Sequence, residues 1–231
     1  SSLTYTYINL IDEYWARGLA MALVLPADRR AFGQIEQFLQ QDEIVALPMA
    51  TVYGLVAKGT SPAAVAKLRA IKHLPAPQPL TILTNSVAHA ETVAELTPPA
   101  RQMLSHFPYP VTMIVPAKPH LDPLITDGFA SVFLACPDAF IAELVQALPF
   151  FLVALSAQVG ETVFTTFTDV QRYLGSQVAV IVDGGGCHYR HRSTLVDFTV
   201  PQPTILTYGA VSVDDLRPIL PEVVLPSHLM K

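Results

Sequence analysis

The run Ile44-Val45-Ala46-Leu47-Pro48-Met49-Ala50-Thr51-Val52-Tyr53-Gly54-Leu55 decides the fold, together with Ala70-Ile71-Lys72-His73-Leu74-Pro75-Ala76-Pro77-Gln78-Pro79-Leu80. An apolar start that stops at Pro48 reads as a buried strand, followed by a sharp turn from Pro48 to Gly54. Ser61 with Pro62 is a helix start, and Val65, Leu68 and Ile71 then fall on one stripe of a helix ending at Lys72. Pro75, Pro77 and Pro79 forbid further helix and stiffen the loop that leads into a strand at Leu80. Open α/β folds take ligands in a crevice beyond the carboxyl ends of their strands. Thr51, Tyr53 and Lys72 are therefore expected to line a pocket.

Working outward, Asp28 is placed to cap a helix carrying Phe32, Ile35, Phe38 and Leu39 on one face. Downstream, strands are expected at Val111–Val115, Val132–Cys136, Phe151–Leu155, Val178–Val182, Leu195–Phe198 and Thr204–Leu206. Helices are expected from Pro98 to His106, around Ile141–Leu148, from a cap at Thr168 to Gly175, and after Ser212. This alternation predicts one α/β domain, a twisted mixed parallel/antiparallel sheet with flanking helices. Residues 1–27 read as an N-terminal extension packed on the domain, and 28–231 as the domain itself.

The chain of 231 residues is 51% hydrophobic and 14% charged, ample for a core and against disorder. A mean hydropathy of +0.40 calls for a search for membrane spans. The most apolar run, Leu144 to Ala157, is interrupted by Gln146 and Pro149 and is too short to cross a bilayer. Two cysteines, Cys136 and Cys187, in a chain this long fit a reducing cytosol, so a cytoplasmic location is expected. With 14 Lys+Arg against 19 Asp+Glu the net charge is −5, which argues against a broad basic surface that grips nucleic acid non-specifically. There is no P-loop, GxGxxG, HExxH, CxxC or GxSxG, and His188 with His191 alone makes no zinc site.

Lys72, at a helix end beside a rigid loop, can place a cation against phosphate or carboxylate oxygens. It reads equally as a solvated lysine at the negative end of a helix. Thr51 and Tyr53 offer hydroxyls on the turn, or are a packed strand end. Ser156 and Gln158 form an alternating polar pair beyond the strand Phe151–Leu155. The segment Asp183-Gly184-Gly185-Gly186-Cys187-His188-Tyr189-Arg190-His191-Arg192-Ser193-Thr194-Leu195-Val196-Asp197 joins a potential anion-binding nest of glycines to Arg190, Arg192, Ser193 and Thr194. It is a locally basic cluster suited to phosphate, or a flexible surface hairpin.

In order and spacing these pieces resemble the YrdC-like family, the threonylcarbamoyl-AMP synthases of tRNA modification, from about Gln34 to Ile219. The turn Pro48–Leu55 matches its PT-acidic-TVYGL, and Lys72-His73-Leu74-Pro75 its lysine-x-arginine-proline. Phe107–Thr112 matches WPGPxT, Ala135-Cys136-Pro137 matches RxP, and Ser156-Ala157-Gln158 matches serine-x-asparagine. Asp183-Gly184-Gly185 and Ser193–Asp197 match its DGG turn and STxxD strand, and Leu206–Gly209 its LRxG.

The resemblance implies a nucleotidyltransferase that joins ATP, L-threonine and bicarbonate into threonylcarbamoyl-AMP and pyrophosphate, usually with Mg2+. It implies catalytic roles for Lys72, Ser156 and Ser193, and substrate or nucleotide contacts from Thr51, Tyr53, Gln158 and Thr194; the local basic cluster adds Arg190 and Arg192 as phosphate contacts. It also implies some contact with structured RNA, expected to be weak on this acidic chain. Met49 stands where a hydroxyl is usual, and Leu74, Ala135 and Thr207 where arginines are usual. The alternative is therefore a catalytically degenerate module that binds nucleotide, metabolite or RNA. Met49, Leu74 and Ala135 are expected to face one cleft, smaller or greasier than a triphosphate site. Lys72 is expected at its rim or against a carboxylate or bound anion.

Overall fold

The structure, a computed structural model, describes residues 21–72, 76–226 and 228. Its strands are β1 (Leu23–Pro26), β2 (Val45–Leu47), β3 (Gly54–Lys58), β4 (Thr81–Leu83), β5 (Tyr109–Pro116) and β6 (Ser131–Cys136). They continue with β7 (Leu152–Ser156), β8 (Gln158–Val159), β9 (Thr162–Val163), β10 (Val180–Asp183), β11 (Thr194–Asp197) and β12 (Thr204–Thr207). The helices are α1 (Phe32–Gln40), α2 (Pro62–Ile71), α3 (Val87–Glu91), α4 (Pro98–Leu104), α5 (Pro123–Thr126), α6 (Ala139–Ala147), α7 (Phe167–Leu174) and α8 (Val213–Leu216).

Ten strands form one mixed sheet in the order β1-β10-β2-β3-β7-β4-β6-β5-β11-β12, and β8 pairs with β9 in a separate ribbon. The α/β reading therefore holds, with four strands added, β1, β3, β8 and β9. Gly54–Lys58 forms β3 and pairs antiparallel with β2, Val45 opposite Val56. The sequence conceals it because Gly-Leu-Val-Ala is buried on both faces and shows no alternation. Residues 23–26 are also strand, an edge pairing in parallel with β10, so the sheet begins ahead of the boundary expected at 27. Residues 1–20 lie outside the described residues.

The caps follow local chemistry. Asp28 accepts from Arg30 N at the turn preceding α1, and Ser61 accepts from Ala64 N at α2. Ser212 and Asp215 form a reciprocal capping box at α8. The cap of α7 is Thr166, whose Oγ1 accepts from Asp169 N at 3.2 Å, not Thr168. Thr168 already lies inside the helix, and Thr166 stands three residues ahead of Asp169, the spacing a cap needs.

Two cores sandwich the sheet. One face carries Ile82, Leu134, Val153 and Met113 under α2, α4 and α7, with Leu68, Met103 and Val170 among the helix contributions. The other carries Val45, Val56, Leu152 and Val180 under α1 and α6, through Ile35, Phe38, Leu39, Ile141, Leu144 and Val145. Of these two helices, α1 lies against β2 and β3, and α6 against β6. Towards β12 the same face stays open, and the cavity forms there.

Candidate functional site

Strand register builds the cavity floor. Leu83 pairs with Ala135, Ala135 with Thr112, Thr112 with Leu195, and Leu195 with Thr207, a row across β4, β6, β5, β11 and β12. A second row runs Ala154–Thr81–Phe133. Every one of these side chains lines a cavity of about 620 Å3, within the range of small-molecule sites. The cavity thus lies over the face of the sheet, whereas a crevice beyond the strand ends was expected. Strand directions are mixed here, with the parallel pair β4–β6 opposed to the parallel pair β5–β11, so their carboxyl ends do not gather on one side. Met49 and Ala135 do share the cavity; Leu74 lies outside the described residues. Met49 folds so closely over Gly54 that a Cβ there would fall 2.5 Å from its terminal methyl.

Around this floor stand Thr51, Lys72, Ser156, Glu161, Arg190, Arg192 and Ser193. Lys72, just beyond α2, is 9% exposed, and its Nζ donates to the Ser156 carbonyl at 3.0 Å. It therefore sits neither at the rim nor against a carboxylate, since the strand-end carbonyl satisfies the amine from inside. Burial, reinforced by the Arg192 charge, lowers its pKa to about 8. Arg190 adopts a left-handed φ of 54°. Its guanidinium passes close over Gly186, where a Cβ would approach Nη2 to 2.9 Å. Arg192 is held by the side chain of Gln158, whose Nε2 donates to Gly160 O at 2.8 Å.

Other expected contacts serve the frame. Tyr53 lines the wall, but its hydroxyl donates to Gly185 O at 2.9 Å and accepts from Gly184 N at 3.1 Å. Desolvation pushes this phenol up to about 12, so it is a neutral anchor. Gly185 N donates to Asp183 Oδ1. With both amides engaged, the glycines form a pinned turn outside the cavity lining and no open anion nest. Thr194 is a second correction. It is fully buried, donates to Val211 O at 2.6 Å, and accepts from Gly209 N and Val211 N. Its neighbour Ser193 faces the cavity instead, because successive residues of a strand point to opposite sides.

Three contributors were missed from sequence. Thr112 enters the floor through the register of β5. Glu161, in the turn between β8 and β9, is the one carboxylate lining the cavity among the described residues. Asp138 caps α6 through Ile141 N and also accepts from Ala50 N at 2.7 Å. The opposite side of that residue is held by Tyr189 N donating to Ala50 O at 2.8 Å. Desolvation raises the Asp138 carboxyl above its usual range. The Asp-x-x-Ile cap was legible; the long-range bond to Ala50 had no local signal.

Fold and cavity define a class: an α/β protein with a cavity on the face of a mixed sheet, lined in part by lysine and arginine side chains. The profile of the Sua5/YciO/YrdC family, described as telomere recombination, matches residues 37–209. The chain belongs to that family. It is 28% identical over 190 residues to a threonylcarbamoyl-AMP synthase of Pyrococcus abyssi, covering 80% of this chain and 56% of that protein. It is 30% identical over 195 residues to the Bacillus subtilis enzyme of that name, covering 81% and 56%. The chain thus spans little more than half the length of these relatives. The structure of Pyrococcus abyssi Sua5 complexed with L-threonine superposes with a TM-score of 0.82 at 25% identity, over 91% of this chain and 64% of that one.

Proposed function

We propose that this chain is a nucleotidyltransferase of the threonylcarbamoyl-AMP synthase type, acting in tRNA threonylcarbamoyladenosine biosynthesis in the cytoplasm. The observation that carries the reading is the gathering of Lys72, Arg190 and Arg192 around one cavity. The relatives' names and the threonine-bound neighbour support it. Arg190 and Arg192 add cationic charge beside Lys72 to a site whose sequence lacks three customary arginines.

In this reading ATP, L-threonine and bicarbonate meet over the row Leu83–Ala135–Thr112–Leu195. A carbamate oxygen of the threonine adduct attacks the α-phosphorus, and the bond to pyrophosphate breaks. Lys72, Arg190 and Arg192 offset the charge developing on the phosphate oxygens, while Ser156 and Ser193 donate hydroxyls and Thr51 seats the amino acid. Rate acceleration comes from positioning and electrostatics. Mg2+ usually rests on one or two carboxylates plus substrate phosphates. Among the described residues no group of three ligating side chains occurs, and Glu161 is the one carboxylate in the lining. A protein-only magnesium site does not fit this lining.

Pyrophosphate release from ATP with threonine and bicarbonate tests the reading. Threonine-dependent release that falls by a factor of ~10² or more in Lys72→Ala is expected, as for removal of one electrostatic donor. Release no greater than in that variant would overturn it. Met49, Ala135 and Thr207 in the lining favour the second reading, a binding module on the same scaffold. Calorimetry separates them: ATP and threonine each tightening the other supports the enzyme, whereas another ligand binding with neither of these supports the module.

A further inference from the structure

Lys72 combines features that the adenylation reading does not require. Its amine lines the cavity yet is 9% exposed, and its hydrogen bond goes to the Ser156 carbonyl. Among the described residues no carboxylate pairs with it, and Arg192 acts on it as a like charge. The other titratable or charged groups lining the cavity are Tyr53, Glu161, Arg190, His191 and Tyr208. A protonated amine here is desolvated and repelled; an anion in its place would be attracted by Arg192 and Arg190.

We propose that Lys72 is a carbamylation site, its amine reversibly taking up carbon dioxide inside the cavity. The nitrogen lone pair forms an N–C bond to carbon dioxide, one C=O electron pair moves onto oxygen, and one nitrogen proton leaves to solvent. The neutral amine thereby becomes an N-carboxylate in a cavity that Arg190 and Arg192 also line. Burial and Arg192 supply the unprotonated amine by holding the group near pH 8. The anion formed is bulkier by a carboxylate, which the cavity of about 620 Å3 accommodates.

The test uses the full chain in buffer near pH 8 with 13C-bicarbonate and its dissolved carbon dioxide. A carbamate carbonyl resonance is expected that disappears on exchange into bicarbonate-free buffer. Methylation with trimethyloxonium should trap it, and peptide mass spectrometry should place it on Lys72. Lys72→Arg, checked for folding by circular dichroism, should lose both signals. Arg192→Gln retains the lysine and should show roughly tenfold less adduct at equal bicarbonate, the cost of a charge-assisted contact. A resonance that survives in Lys72→Arg, an adduct trapped elsewhere, none in folded wild type at saturating bicarbonate, or undiminished adduct in Arg192→Gln would each overturn the proposal. If Lys72→Arg does not fold, the wild-type peptide map decides. The adduct removes the cation that Lys72 offers to phosphate, so it belongs to the nucleotide-free site. No nucleotide or turnover enters this measurement, so carbamylation and adenylation can fail separately.

Discussion

Lys72 shows how much a single buried charge can control. Its pKa falls from 10.5 to about 8, first through burial and then through Arg192. The folded state therefore binds fewer protons than the unfolded chain between those values, and stability rises with pH across that window. Lys72→Met removes the effect. Wild type should gain stability on the variant from about pH 8 to 10.5, by up to roughly 3 kcal/mol, read from urea denaturation at each pH. A constant difference between the two proteins would contradict the assignment. Tyr53 makes the complementary case, a neutral group held by two hydrogen bonds. Tyr53→Phe leaves Gly184 N–H and Gly185 C=O without that partner and should cost ~1–3 kcal/mol in the same measurement. The sequence put both residues on the right segment; it had no means of showing that one hydroxyl turns towards a loop far along the chain.

At the scale of elements, the segments around the cavity are fastened to each other at close range. Gly209 lies against the backbone of Arg192 and Ser193, where a Cβ would come within 2.2 Å of Arg192 O. Gly209→Ala must displace the stretch that presents Arg192 and Ser193. A loss of ~1–3 kcal/mol in stability is expected, together with weaker nucleotide binding by calorimetry; unchanged binding would show that this stretch tolerates movement. Arg69 performs a similar duty for the proline-rich loop. It donates to Gln78 O at 3.2 Å and pairs with Asp127, which in turn accepts from Gln78 N. Most elements were legible because their caps and stripes are local: Ser61-Pro62, Ser212, and the apolar run ending at Val182. What escaped was non-local. β3 has no alternating pattern, and the cavity floor exists only once Ala135, Thr112 and Leu195 are brought side by side by register.

For the whole molecule, charge limits partners. With 14 Lys+Arg against 19 Asp+Glu, attraction to structured RNA rests on the few cations near the cavity and should be weak. Any binding should fall steeply as salt rises, measured by fluorescence anisotropy; tight binding insensitive to salt would mean that groups other than charge hold the RNA. Among the described residues no helix is long and apolar enough to cross a membrane. Composition had indicated a large buried core and a chain without a basic face, and those two properties need no knowledge of topology.

The position of β10 bears on how the protein comes into being. It lies between β1 and β2, paired in parallel with both, although its residues arrive late in the chain. During synthesis the first two strands must wait, with edges open, until Val180 to Asp183 have left the ribosome. Pairings of such sequence separation are slow to find and leave strand edges available for association. The Gly184–Gly185 turn that Tyr53 anchors and the arginines of the cavity follow directly behind β10. A nascent chain therefore joins β1 to the sheet through β10 just before it delivers the arginines that line the cavity.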